Sequence, residues 1–514
     1  MLWIALHLPM LSLESFAATL PPQANEQAMA LMDAQRIVSA NAAAQALGVT
    51  PGLKRATALA LAPQLTLGQA DAARDAQAIT AVAHAALAFT PSVTLEPGGD
   101  AASAPPHTVL LEVQASLRYF GGLKPLLRRL RAALAPLQHT TICASAPTAQ
   151  GAALLARMEE AQAGRHAADL VSLRQRLDAA PAWLLGSGRT HWEALQGMGL
   201  RSVAELRRLP RSGVARRFGQ ALLDELDRAL GTQPDPRVWV TLPEAFESRL
   251  ELFARADTTD QVLHGASLLL ARLVAWAGAR HAQVRRFTLR MQHEARYRHD
   301  APTPADSTLE IALAEPSCDA AHLRVLLRER LARLQLVAPT LELHLHCSDV
   351  ALRAAPNSEL FPTARSEREG LTRLIERLQA RLGNEQVQRL VPVQDHRPER
   401  GSRVHAAEAV PRAAAPAASP VAQPTAPPLR PVWLLPHPQA LPERQLHPLL
   451  DGRPLQLLCG PERIEAGWWD AALVERDYFI AQAADGALVW IYRARLPLSA
   501  PAPGTGWFLQ GRFG

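Results

Sequence analysis

LWIALHLPMLSLESFA (Leu2–Ala17) opens the chain with an apolar run that contains Pro9. Residues 2–8 read as a short buried strand. Working outward, Glu26–Leu47 reads as a strand and then a helix. IVSANAAAQALGVTPGL (Ile37–Leu53) ends that helix at Gly48, whose freedom to adopt positive φ supplies the stop, and Pro51 blocks continuation. Asp71–Ala88 has helical spacing. Phe89–Leu95 and Val109–Val113, the start of VLLEVQASLRYFGG (Val109–Gly122), supply further strands, Gly122–Pro136 a basic amphipathic helix, and Thr141–Ala146 a returning strand.

Pro181–Pro234 changes character. ALQGMGLRSVAELRRLP (Ala194–Pro210) joins two helical segments through Gly197-Met198-Gly199-Leu200, the pattern of a helix-hairpin-helix or of a plain αα-hairpin. In the first case the glycines let backbone amides approach a phosphate, and Arg201 lies within reach of the same backbone. Phe246–Asp349 then reads strand, helix, strand, strand, helix, strand, a ferredoxin-like order. Alternation in VRRFTLRMQ places Arg286, Thr288 and Arg290 on one sheet face, and Phe287, Leu289 and Met291 on the other. His344 and His346 share a face, but no further ligand has suitable spacing, so a solvated face is expected there and no metal site.

With 514 residues, 48% hydrophobic, the chain is long enough for several domains. A net charge of +6 and a pI near 9.6 favour an anionic partner. All basic residues except Lys54 and Lys124 are arginine. The four cysteines form no CxxC pair, which suits a reducing compartment. The apolar start lacks a basic leader, and no uninterrupted apolar run approaches the roughly 20 residues of a membrane span. A cytoplasmic protein that uses no cofactor is expected.

The three quoted stretches, in their order and spacing, resemble the palm and fingers of Y-family translesion DNA polymerases. In active members the first strand carries an Asp and a later strand an Asp-Glu pair, which hold two Mg²⁺ ions for phosphoryl transfer. Here the first strand offers His7 and Pro9. Counting back from Glu112, the pair falls on His107 and Thr108. None of these four is a hard-cation ligand, so no catalytic residue is expected.

The whole chain resembles the ImuB family, the non-catalytic Y-family homologues of bacterial inducible-mutagenesis cassettes, down to the phrase QDHRPER (Gln394–Arg400) and the ending WFLQGRFG. The resemblance implies an α+β multidomain protein: palm and fingers (1–180), a helix-hairpin-helix thumb (181–240), a ferredoxin-like little finger (241–352), a clamp-motif and helical extension (353–400), an Ala/Pro-rich linker (401–431) and a small β-rich C-terminal module (432–514). It implies a DNA-binding scaffold in damage-induced translesion synthesis. The partners would be primer-template DNA, the sliding clamp, an ImuA-like RecA-type companion and an error-prone C-family DNA polymerase.

DNA contacts are expected at Gly197, Gly199, Arg201, Arg286 and Arg290. The clamp motif falls on Asn357, Leu360 and Phe361, with Asn357 in place of the usual Gln; an ordinary loop is the other reading. Gln445–Leu450 is a second, weaker candidate. Trp507, Phe508 and Phe513, at the extreme terminus of a small module, are expected to be exposed and to bind a partner, whereas Tyr478, Trp490 and Tyr492 are expected in its core. An active polymerase using substitute acids (Glu14, Glu96, Glu112) and a partnerless DNA-binding module are the alternatives.

Overall fold

The computed structural model describes residues 1–21, 27–96, 107–158, 164–294, 305–352, 364–407, 430–495 and 506–513. The chain divides into two compact units, Met1–Arg381 and Leu382–Gly514.

The first unit is organised around an antiparallel sheet in which Trp3–His7 lies between Thr108–Glu112 and Ile142–Ala146, with Val93–Leu95 at the edge. Ile4, Ala5 and Leu6 are almost fully buried because both faces of the sheet are covered. Ile4 and Leu6 pack with Ala72–Leu87 and Leu123–Leu134, while Trp3 and Ala5 pack with Ala149–Arg157 and the thumb helices. That explains an apolar run without alternation. The fingers form a separate three-stranded sheet, Arg36–Ala40, Met29–Asp33 and Thr66–Gln69. Asn41 caps the following helix by accepting the Ala44 N–H at 2.9 Å, and Gly48 leaves it at φ +86°.

The thumb consists of short helices from Gly186 to Leu230. Its exit segment runs back along the palm: Val240 N–H donates to Val93 C=O at 2.8 Å, and Trp239 stacks on Trp3 with centroids 6.1 Å apart.

The little finger has the expected element order. Its sheet order is Asp306–Ser317, Ala282–His293, Thr340–Leu352, Phe246–Ala256, so each βαβ unit is split by a strand of the other. The second and fourth strands are central, where the ferredoxin-like plan has the first and third, so the element order is ferredoxin-like and the strand order is its reverse. Thr259–Ala279 is long and apolar enough to cross a membrane, but it is the core helix here: Leu269, Leu273 and Trp276 are fully buried. On the palm side, Arg272 is buried and donates to Gln77 Oε1 (3.2 Å) and Ser248 Oγ (3.1 Å), and burial pushes its pKa down to about 10.

The second unit corrects the expected domain boundary. Its antiparallel sheet runs Trp433–Leu441, Trp507–Arg512, Leu488–Ala494, Val474–Gln482, Gln456–Ala466. One face is closed by Leu441, Leu455 and Trp507; the other carries Tyr478, Trp490 and Tyr492. Residues that precede the Ala/Pro-rich stretch bind this module. Arg397, only 2% exposed, makes bidentate contacts with Asp395 and Asp470, donates to the Ala472 carbonyl at 3.1 Å, and lies 5.4 Å over the Trp469 ring. Glu399 accepts from Arg476 (3.1 Å) and Gln510 (2.9 Å), beside Tyr478. The QDHRPER phrase is therefore a tether that fastens the hairpin Gln388–Pro392/Ser402–Ala406 to the module. The module starts before the linker region, not at residue 432.

Trp507, Phe508 and Phe513 are a second correction. Trp507 is 4% exposed, Phe508 stacks on Tyr492 (5.1 Å, 16°), and Phe513 packs against the same aromatic face. The last strand is an interior strand, hydrogen-bonded on both sides. A terminal position in sequence therefore does not make these side chains terminal in the sheet. Among the described residues of this module, the exposed tryptophans are Trp433, Trp468 and Trp469, at 70%, 71% and 52%. Gln445–Leu450 folds into a tight hairpin with Gln445 and Leu446 at positive φ, unlike an extended clamp peptide.

Arg397→Ala should destabilise this module by about 3 kcal/mol, because it leaves two carboxylates facing each other without their cation. A fragment beginning at Val432 should unfold at lower urea than one beginning at Leu382. Equal midpoints for the two fragments would refute the tether.

Candidate nucleic-acid interface

Of the four positions singled out in the sequence for lacking an acid, the sheet register brings His7 directly opposite Thr108. The His7 Nδ1 and the Thr108 hydroxyl share a hydrogen bond of 3.0 Å, and Leu8 N–H donates to the His107 carbonyl at 2.8 Å. Burial, with help from the nearby Arg157 guanidinium, pushes the His7 pKa down to about 4. Burial also lowers that of His107. Both imidazoles are neutral at pH 7.

The acids nearby are committed elsewhere. Glu96 is buried and ion-paired with Arg157. Glu112 accepts the Gln114 N–H at 3.1 Å. Glu14 accepts from Thr140 at 2.9 Å and faces His139; burial would raise its pKa, but these partners outweigh it and hold the carboxyl below its ordinary value. Asp75 is buried and hydrogen-bonded by Ser12, and its pKa is raised by that burial. A divalent cation brought to His7 would meet neutral donors and a guanidinium.

The thumb hairpin has the expected turn. Trp192–Gly197 ends through Gly199 at φ +77°, and Ser202 caps Val203–Arg208. Gly197 and Gly199 both have open space where a side chain would stand. The amides expected to meet phosphate are already engaged: Arg201 and Ser202 N–H donate to Glu205 Oε2 at 2.6 and 3.0 Å. These bonds hold the Glu205 carboxyl below its ordinary pKa. The exposed side chains of Arg201, Arg216 and Arg217 have no carboxylate partner among the described residues, whereas Arg207 and Arg211 pair with Asp178 and Asp227.

The little-finger face departs from expectation. Arg286 and Arg290 are exposed on it, as the alternation required, but Arg286 pairs with Glu310 at 3.0 Å and Arg290 pairs with Asp306. Glu247, Glu251, Glu342 and Asp349 share that face with Arg249. Carboxylates outnumber guanidiniums there, so the face offers DNA phosphates little net attraction. The sequence reading missed this because the acids come from other strands. Asn357, Leu360 and Phe361 lie outside the described residues.

Folded His7 resists protonation until about pH 4, while the unfolded side chain protonates near 6.5. Its stabilising contribution is therefore intact above about pH 6.5 and is lost as pH falls toward 4. The span corresponds to ~3 kcal/mol, and His84, also near 4 through burial alone, adds a similar amount. Urea unfolding of wild type and His7→Asn at pH 7 and pH 4.5 should show a smaller pH effect in the variant. Separately, Glu205→Ala, which removes the accepting oxygen, should free the Arg201 and Ser202 amides and tighten primer-template binding at low salt. Unchanged or weaker binding would mean that this turn does not meet phosphate.

Comparison with known proteins adds one relationship. No family model matches the chain. Among solved structures, a ternary complex of Dbh and DinB from Sulfolobus solfataricus align over 68% and 69% of this chain and all of theirs, at 14% identity and a TM-score of 0.37. Protein ImuB of Caulobacter vibrioides, in strains NA1000 / CB15N and CB 15, is 28% identical over 494 residues, covering 91% of this chain and the whole of that protein. Along nearly its whole length, then, the chain is similar to Protein ImuB.

Proposed function

We propose that this protein is a non-catalytic, DNA-binding scaffold in error-prone translesion synthesis. It bridges the sliding clamp, a RecA-type companion and a C-family error-prone polymerase. The observation that carries the first half is the His7–Thr108 pair in place of metal ligands, beside the Arg157–Glu96 ion pair. Two-metal catalysis requires anionic oxygen ligands that this pocket does not supply. The partners follow from the family resemblance.

DNA binding is assigned mainly to the thumb, through Arg201, Arg216 and Arg217, because these guanidiniums are exposed and uncompensated. Phosphate contacts of this kind position a duplex without reading its sequence. The clamp site is assigned to Asn357, Leu360 and Phe361, in which the Leu-Phe pair would fill an apolar cleft.

Purified protein should extend no primer with Mg²⁺ or Mn²⁺. Extension abolished by Glu96→Gln would establish the alternative of an active enzyme. Replacing Arg201, Arg216 and Arg217 with alanine should weaken primer-template binding and flatten its salt dependence by roughly 2–3 log units per log unit of salt. The Arg286→Ala/Arg290→Ala pair should change affinity less than about twofold, since each exposed ion pair is worth little. Leu360→Ala/Phe361→Ala should abolish clamp pull-down while DNA binding stays intact. Retained pull-down would place the clamp site elsewhere.

A further inference from the structure

The helix Leu123–Leu134 buries Leu126, Leu127, Leu130 and Leu134 and turns Lys124, Arg128, Arg129 and Arg131 to solvent. Arg118 is exposed beside it, on the short helix Leu117–Phe120. Among the described residues none of these five cations pairs with a carboxylate, in contrast to Arg211, Arg286 and Arg290.

An aromatic step adjoins the cations. Tyr119 is 83% exposed, with its ring edge-on to Phe120 at 4.9 Å, and Phe120 in turn contacts Phe89 at 5.2 Å. The Arg129 guanidinium lies 5.7 Å over the Phe120 ring. Behind Tyr119 opens a cleft of about 700 Å³ lined by Leu87, Phe89, Pro91, Phe120, Val240 and Leu242. That is large enough for one or two bulky side chains. The connector from thumb to little finger supplies one wall, so the cleft exists only once palm, connector and little finger are assembled. Neither the His7 pocket nor the thumb hairpin contributes to it.

The geometry points to a docking site for an acidic peptide segment with an apolar anchor. Its carboxylates would meet Arg118 and Arg129 in charge-assisted hydrogen bonds, and an aromatic or aliphatic side chain would pass Tyr119 into the cleft. Nucleic acid fits less well. The cleft offers few hydrogen-bonding groups (Thr90, Ser116 and His281) to a base edge, which would lose its bonds to water on entering. An aliphatic or aromatic side chain incurs no such penalty, and exposed Tyr and Arg at the mouth of an apolar pocket are the residue types that concentrate binding energy.

The test uses the full chain and a fluorescein-labelled peptide of three aspartates followed by Leu-Pro-Phe, read by fluorescence anisotropy at physiological ionic strength. Tyr119→Ala and the Arg118→Ala/Arg129→Ala pair should each weaken binding by about tenfold. A peptide with asparagine in place of aspartate should bind wild type at least as poorly. All the substituted side chains are solvent-facing, so the variants should keep wild-type thermal unfolding and primer-template affinity. Peptide affinity unchanged in both variants, or equal for the asparagine peptide, would overturn the proposal. Oligothymidine binding that disappears in the same variants would assign the site to nucleic acid and overturn it as well.

Discussion

The first unit depends on one strand. Trp3–His7 is hydrogen-bonded on both edges and covered on both faces, so the helices of the palm and the thumb assemble against it from opposite sides. Its register fixes what faces what: shifting the pairing by one residue would exchange Ile4 and Leu6 with Trp3 and Ala5 between two different cores. The same register sets His7 against Thr108. The residues that make the palm stable therefore also hold the His7–Thr108 pair in place. The core rests on Ile4, Ala5 and Leu6, whereas His7 lies at the end of the strand.

The second unit depends on a different constraint. A five-stranded open sheet has two faces to cover, and a module of this size lacks a second layer of its own. The Asp395–Arg400 turn is joined to the Tyr478 side of the sheet through Glu399, Arg476 and Gln510, and is fastened through a buried guanidinium. A buried ion pair is favourable only when its remaining hydrogen bonds are made. Arg397 meets that condition with two carboxylates, a carbonyl and the Trp469 ring.

Charge compensation separates the surfaces of the body. The little-finger sheet pairs its arginines with carboxylates from neighbouring strands. In the thumb, some arginines are paired and Arg201, Arg216 and Arg217 are not. The palm helix Leu123–Leu134 is wholly uncompensated among the described residues. An overall charge of +6 therefore says less about where an anionic partner sits than the distribution of carboxylates does.

Sequence alone determined what local patterns carry. The buried strand, the Gly48 helix stop, the βαββαβ order and the outward alternation of Arg286 and Arg290 each follow from spacing within a few residues. The absence of acids at His7, Pro9, His107 and Thr108 was equally legible, since a side chain's ligand chemistry does not depend on its neighbours. Tertiary structure decided what depends on partners distant in the chain. Arg397 finds Asp470 across 73 residues. Arg286 is neutralised by Glu310 from the next strand. Trp507 is buried because the last strand inserts between two others. No local spacing encodes these contacts, because strand order and register are properties of the assembled sheet rather than of any one strand.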